Sequence, residues 1–192
     1  VGLSIATRAD CLSNEVVDYL AELSTRTYLT VELGLQTIHD KTGEHINRCH
    51  TYSDFLAGYN KLNDRGINIC IHVINGLPNE THSMMLETVE EIAKLNIHSV
   101  KLHLLHVING TKIAEEYKNG EFPLLSRDDY VQIICDQIEI LPQNVIIQRV
   151  TGDGDKNTLI GPMWSLNKFV VMNSIDKEFV RRNSWQGKCF KA

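Results

Sequence analysis

Residues 29 to 36 alternate strictly: Leu29, Val31, Leu33 and Leu35 fall on one face of an extended strand, and Thr30, Glu32, Gly34 and Gln36 on the other. The same two-residue period recurs along the chain. It predicts strands over 1–7, with Gly2, Ser4, Ala6 and Arg8 on one face; over 67–74, with Asn68, Cys70 and His72 opposite Ile67, Ile69, Ile71 and Val73; over 99–108, with Lys101, His103 and Leu105 opposite Val100, Leu102, Leu104 and His106; and over 145–150. Between them the period lengthens to that of a helix. Ser13 is placed to cap a helix over 14–23 with Val16, Val17, Leu20 and Leu23 inward, and Thr51 or Ser53 a helix lined by Phe55, Leu56, Tyr59 and Leu62 that ends at Gly66. A short helix interrupted near Gly43 is expected over 38–48. Thr81, Thr111 and Ser126 open further helices, the last through a capping-box pattern, and an amphipathic helix is expected over 166–182, followed by a frayed tail from Ser184 to Ala192.

Strands separated by helices define an α/β chain with a mostly parallel sheet, either curved as part of a barrel or open and doubly wound. Helices covering one face leave Glu32, Gln36, His72 and His103 facing a shared cavity, with Leu33, Ile71 and Leu104 on the helix side. A carboxylate and an amide placed there need partners, because burying them unpaired costs several kcal/mol, so a polar ligand on that face is the economical reading. No glycine-rich phosphate fingerprint follows any strand. In a barrel, function collects at the C-terminal strand ends, which places Arg8, Gln36, the turn from Asn75 to Pro78 and His106 at one mouth.

Composition narrows the class without choosing the chemistry. The 192 residues are 43% hydrophobic and 22% charged, an ordinary globular balance for one core, and the formal charge of −5 gives no overall electrostatic footprint for nucleic acid. No apolar run reaches the roughly 18 residues of a membrane span and no signal peptide is present, so a soluble cytoplasmic protein is expected. The closest two of the five cysteines, Cys49 and Cys70, are 21 positions apart, which is not metal-site spacing. Reduced thiols are expected. Residues 151–155, Thr-Gly-Asp-Gly-Asp, have the composition of a metal- or phosphate-holding loop as well as of a plain turn, and the turn is the favoured reading.

The combination of Thr7-Arg8-Ala9-Asp10 after the first strand, Glu32-Leu-Gly-Leu-Gln-Thr37 ending the second and Ile74-Asn-Gly-Leu-Pro-Asn-Glu-Thr81 ending the third resembles the later strands of radical S-adenosylmethionine (radical SAM) enzymes. The resemblance is to the group containing the Elongator catalytic subunit and oxygen-independent coproporphyrinogen oxidase. Within it, residues 34–48, 100–111 and the ending 151–168 resemble a bacterial family of uncharacterised Fe–S oxidoreductases.

That resemblance implies a partial (β/α)6 barrel of TIM type, here from strand three onward, over residues 1–142, and a helical C-terminal extension over 143–192. It implies that Gln36 contacts the methionine part of S-adenosylmethionine and that Arg48, twelve positions later, pairs with its carboxylate. His72 stands where an acidic residue holds the ribose, Arg8 and Asp10 keep the first motif while Ala6 and Ala9 depart from it, and Glu32 and Gly76 complete the cofactor-side set. Lys101, His103, His106 and Arg149 are the substrate-side candidates. The implied cofactors are S-adenosylmethionine and a [4Fe–4S] cluster whose C-x3-C-x2-C loop is expected upstream of Val1, since the chain starts inside a strand without a Met; no metal ligand is expected in the chain itself. Such an enzyme generates a 5′-deoxyadenosyl radical with an electron from a donor such as flavodoxin or ferredoxin, and kinship with Elongator implies a tRNA base as substrate. Read from the residues alone, two other classes stay open: an aldolase-like or hydrolytic barrel using Lys101, His103 and Glu32, and a non-catalytic binding fragment.

Overall fold

The computed structural model describes residues 1–191. Five parallel strands, β1 (Gly2–Thr7), β2 (Tyr28–Gln36), β3 (Asn68–Asn75), β4 (Ser99–Leu104) and β6 (Ile146–Arg149), form one sheet in the order β1-β2-β3-β4-β6. Strand order follows chain order. Because each parallel connection is a right-handed crossover, a sheet wound in one direction carries its helices on one face, as in a barrel wall, whereas a doubly wound sheet reverses direction to cover both.

The alternation decides which face is covered. Val31, Leu33 and Leu35 of β2, Ile69, Ile71 and Val73 of β3, and Val100 and Leu102 of β4 are at most 1% exposed, and Leu104 is buried in the same core. They share a core with Val17 and Leu20 of α1 (Asn14–Ser24), Phe55 and Leu62 of α3 (Tyr52–Asn63), Val89 and Ile92 of α4 (His82–Ala93), and Tyr130 and Ile134 of α6 (Arg127–Ile140). Each of these large side chains stabilises the fold by about 1.5–3 kcal/mol through the apolar surface it buries. Ser13, Thr51, Thr81 and Ser126 cap the four helices, each accepting a backbone N–H of the first turn, and Thr51 with Asp54 forms a reciprocal capping box.

The structure departs from the expected elements in several places. Val16 is exposed, while Val17 and Leu20 of α1 are buried and Leu23 packs half-buried against the core. Gly43 does not interrupt a helix; it sits buried inside α2 (Asp40–His45). The strand expected over 99–108 stops at Leu104, and Val107–Ile108 (β5) instead pairs antiparallel with Leu159–Gly161 (β7) in a separate hairpin-like ribbon. A satellite core of Val107, Ala114 and Phe122 holds this ribbon to α5 (Lys112–Lys118).

β6 continues the sheet past residue 142, and α7 (Lys168–Arg182) packs on α6. The residues after α7 are tied down rather than frayed: the N–H groups of Gly187 and Cys189 donate to Ile138 and Glu139, and Gln186 donates to the carbonyls of Pro142 and Val145. Ala192, the last residue of that expected tail, lies outside the described residues. Among the described residues no helix is long and apolar enough to cross a membrane.

Candidate functional site

The uncovered face of the sheet carries the polar half of each alternation, and its centre is Glu32. Oε2 of Glu32 receives Nζ of Lys101 at 2.6 Å and lies 2.7 Å from Nε2 of His72, while Oε1 accepts the hydroxyl of Ser4 at 2.5 Å. Four strands therefore contribute to one cluster: Ser4 from β1, Glu32 from β2, His72 from β3 and Lys101 from β4. The parallel register makes this possible by setting Gly34, His72 and Lys101 side by side across three strands. Gly34 is bare for a reason: a Cβ there would stand 2.7 Å from the side-chain Nε2 of Gln36, whose amide folds back over it. Gln36 ends β2 at φ 67°, past a bulge, so the chain turns sharply where its side chain enters the face.

Burial raises the Glu32 carboxyl, but the hydrogen bonds from Lys101 and Ser4 and the nearby positive charges outweigh it and hold the group at about 2, so it is ionised at neutral pH. An ionised carboxylate only accepts. Nε2 of His72 is then the protonated nitrogen, and because burial pulls the imidazole below its ordinary value, His72 is neutral and offers Nδ1 as an acceptor. The His103 ring lies 5.2 Å from that of His72. Burial, and after it the neighbouring imidazole of His72, with which it would share charge, and the cations Arg149 and Lys101, hold His103 down at about 4.

Two atoms on this side are left without partners. Nε2 of His103 and Nε2 of His106 are both buried and unbonded, and an unpaired buried polar atom costs about 1–3 kcal/mol. His106 is not on β4 as expected; the chain leaves the sheet at Leu104, and His106 is packed under the loop 151–158, where a Cβ on Gly152 would stand 2.8 Å from its Cε1. Burial and the charge of Lys168 lower its pKa. Gly152 lets the backbone close over the ring.

The other expected site residues are placed differently. Arg8, half exposed at the end of β1, makes a two-pronged pair with Asp10 and does not reach Glu32. Gly76 follows β3 at φ 81°, where its N–H donates to Sδ of Met85. Arg149 lies next to Lys101 across a register shift and pairs with Asp153 at 3.5 Å. Arg48 is buried and bound by the chain itself: Nε donates to the His50 carbonyl at 2.7 Å, Nη1 to the carbonyls of Leu35 (3.2 Å) and Thr37, and Nη2 to Asp40 at 2.7 Å. Its bonds here all go to the chain, whereas the resemblance implies a pairing with the cofactor's carboxylate.

Ser4 and Asp40 were not marked as site residues in the sequence. Ser4 was visible on the polar face, but its partner lies 28 positions away. Of the cysteines, Cys11, Cys49 and Cys189 are exposed and Cys70 and Cys135 buried, all as free thiols. Among the described residues no group of three His, Cys, Asp or Glu could hold a metal ion. A [4Fe–4S] cluster does not fit these residues. The uncovered face instead offers hydrogen-bonding groups: an acceptor at His72, the Glu32 carboxylate and the unpaired nitrogen of His103.

A one-directional parallel sheet with helices on one face and a charged, partly unsatisfied cluster on the other has the architecture of a barrel wall. Residues 1–92 match the model of the radical SAM superfamily, and residues 97–181 that of the radical SAM C-terminal domain. The chain belongs to the radical SAM superfamily. It is 53% identical over 191 residues to the uncharacterized protein YtqA of Bacillus subtilis, covering 100% of this chain and 59% of that protein. It is 25% identical over 194 residues to the tRNA uridine(34) acetyltransferase of Methanocaldococcus jannaschii, covering 100% of this chain and 35% of that one. Among solved structures it shares its fold with the Elp3 protein of Methanocaldococcus infernus, with a TM-score of 0.83 at 23% identity over 97% of this chain and 43% of the other. The chain thus spans about three fifths of the length of YtqA.

Proposed function

We propose that this chain is the C-terminal part of a radical SAM oxidoreductase and that its uncovered polar face seats S-adenosylmethionine beside the substrate. The observation that carries the reading is the cluster of Glu32, His72 and Lys101 with the unpaired nitrogens of His103 and His106 next to it. When bound together, S-adenosylmethionine and a [4Fe–4S] cluster supply a carbon radical that removes a hydrogen atom from the substrate. The cluster's ligands would come from a part of the parent protein outside this chain.

The chain's own residues position and shield. Glu32 holds His72 so that Nδ1 accepts a hydrogen bond from a ligand hydroxyl, and Gln36 offers its amide at the end of β2. Lys101 keeps donors beyond the one it gives to Glu32. His103, His106 and Arg149 face the substrate, and the loop over His106 keeps water from it. Arg8 and Gly76 frame the strand ends. A tRNA base is the substrate class we favour, on the name of the archaeal acetyltransferase relative. A small electron carrier such as flavodoxin or ferredoxin would supply the reducing electron, and five free thiols suit a reducing, cytoplasmic setting.

The test uses the full-length parent, reconstituted anaerobically with iron and sulfide and given a strong reductant, beside the isolated 192-residue chain. The parent should form the cluster and release 5′-deoxyadenosine; the chain alone should do neither. In the parent, Glu32→Gln and His72→Ala should each weaken S-adenosylmethionine binding at least about tenfold, or about 1.4 kcal/mol, with the cluster intact. Cluster assembly and cleavage by the isolated chain, or unchanged affinity in both variants, would overturn the reading.

A further inference from the structure

We infer that Arg48 is a positioning residue for Gln36: a buried guanidinium that clamps the backbone on both sides of it and so sets the direction in which its amide enters the polar face. The inference rests on the reading that this face seats S-adenosylmethionine. Nη1 of Arg48 donates to the carbonyls of Leu35 and Thr37, the two neighbours of Gln36. Between those two anchors Gln36 sits at φ 67°, a conformation that residues with a Cβ rarely adopt unless their surroundings enforce it. The same guanidinium reaches the carbonyl of His50 and the carboxylate of Asp40, so four of its five N–H groups are spent on the chain.

The surroundings are shaped to admit it. A Cβ on Gly43 would stand 2.7 Å from Cζ of Arg48, so the guanidinium lies flat on the one position of α2 that has no side chain. Asn47 and Cys49, on either side of Arg48, are also at positive φ, which turns its side chain inward beneath the end of β2. With the side chain 2% exposed and its donors committed, a ligand carboxylate would have to displace partners already made. The bonds made to the neighbours of Gln36 give the arginine its effect on a ligand, through the residue it holds.

The experiment is a double-mutant cycle in the cluster-loaded, full-length protein, read as the dissociation constant of S-adenosylmethionine. Gln36→Gly removes the amide while tolerating the backbone conformation; Arg48→Lys keeps the charge but cannot span the four acceptors. Gly43→Ala leaves Arg48 intact and pushes its guanidinium off its seat. Each single change should weaken binding about tenfold, and Arg48→Lys or Gly43→Ala should add nothing in the Gln36→Gly background. Losses that multiply, to about a hundredfold in the double variants, would mean that Arg48 meets the ligand itself and would overturn the proposal. A crystal structure of unliganded Arg48→Lys, or of Gly43→Ala should the first not fold, gives a second readout. Gln36 should leave the left-handed region there, and an unmoved Gln36 would sink the clamp. If the unaltered protein does not bind S-adenosylmethionine, the reading of the site fails, while this structure still judges the clamp.

Discussion

Two charged groups, Glu32 in the middle of β2 and Arg48 packed against its C-terminal end, are finished to different degrees. Around Arg48, at the strand's end, four donors meet four acceptors, three of them backbone carbonyls, and the guanidinium is sealed under α2. Around Glu32, in the middle, the carboxylate is met by a lysine, a histidine and a serine, yet His103 on the same face and His106 beyond the end of β4 keep buried nitrogens with nothing to bond. A closed cluster maintains shape. An open one keeps a cost that a ligand can remove, and this difference separates architecture from site even though both charges lie against one strand.

The comparison breaks first at Arg48. Arg48→Ala strips partners from three carbonyls and a carboxylate at once, and should lower stability by about 3 kcal/mol, seen as a shift of the urea midpoint with an unchanged slope. A loss below about 1 kcal/mol would mean that the cluster is not closed as described. Glu32→Gln should cost less, about 1–2 kcal/mol at pH 7, because the face is open to water on one side and its charges are screened. A loss equal to that of Arg48→Ala would remove the distinction between the two clusters.

A third test lies in the pH dependence. His103 binds a proton near 6.5 when unfolded and at about 4 when folded, so between those values the unfolded chain is the better proton binder. Stability should therefore be intact above pH 6.5 and fall as pH drops towards 4. Glu32, held at about 2 against an ordinary 4.5, adds a second loss as pH falls through that lower interval. His103→Gln should flatten the slope between pH 6.5 and 4 and leave the lower one in place. Equal slopes in the two proteins, measured by denaturation across that range, would show that His103 is not buried neutral.

Much of this was legible locally. The period of two assigned Glu32, His72, Lys101 and His103 to one face, since side-chain direction in a strand depends only on parity. Helix starts followed from single residues, because a Ser or Thr hydroxyl closes a bond to an N–H three positions on, as Ser13 does with Val16. Where parity was extended past the true end of a strand it misled: counting on from Leu104 put His106 on the apolar face, and only the pairing of β5 with β7 shows where the chain leaves the sheet.

The sequence by itself thus determined the α/β class, the faces of each strand and the caps of the helices, all properties of neighbours within one or two turns. Tertiary structure alone decided that Lys101 meets a carboxylate 69 positions away, that Ser4 completes the set, and that Arg48 turns inward to hold the backbone beside Gln36. Such contacts depend on the register between strands and on a reversal of the chain through left-handed residues, Asn47 and Cys49, whose conformations no local pattern announces. An arginine looks the same in sequence whether it reaches for a ligand or for three carbonyls of its own chain. The acceptors within reach of its five donors settle which, and only the folded chain brings those acceptors together.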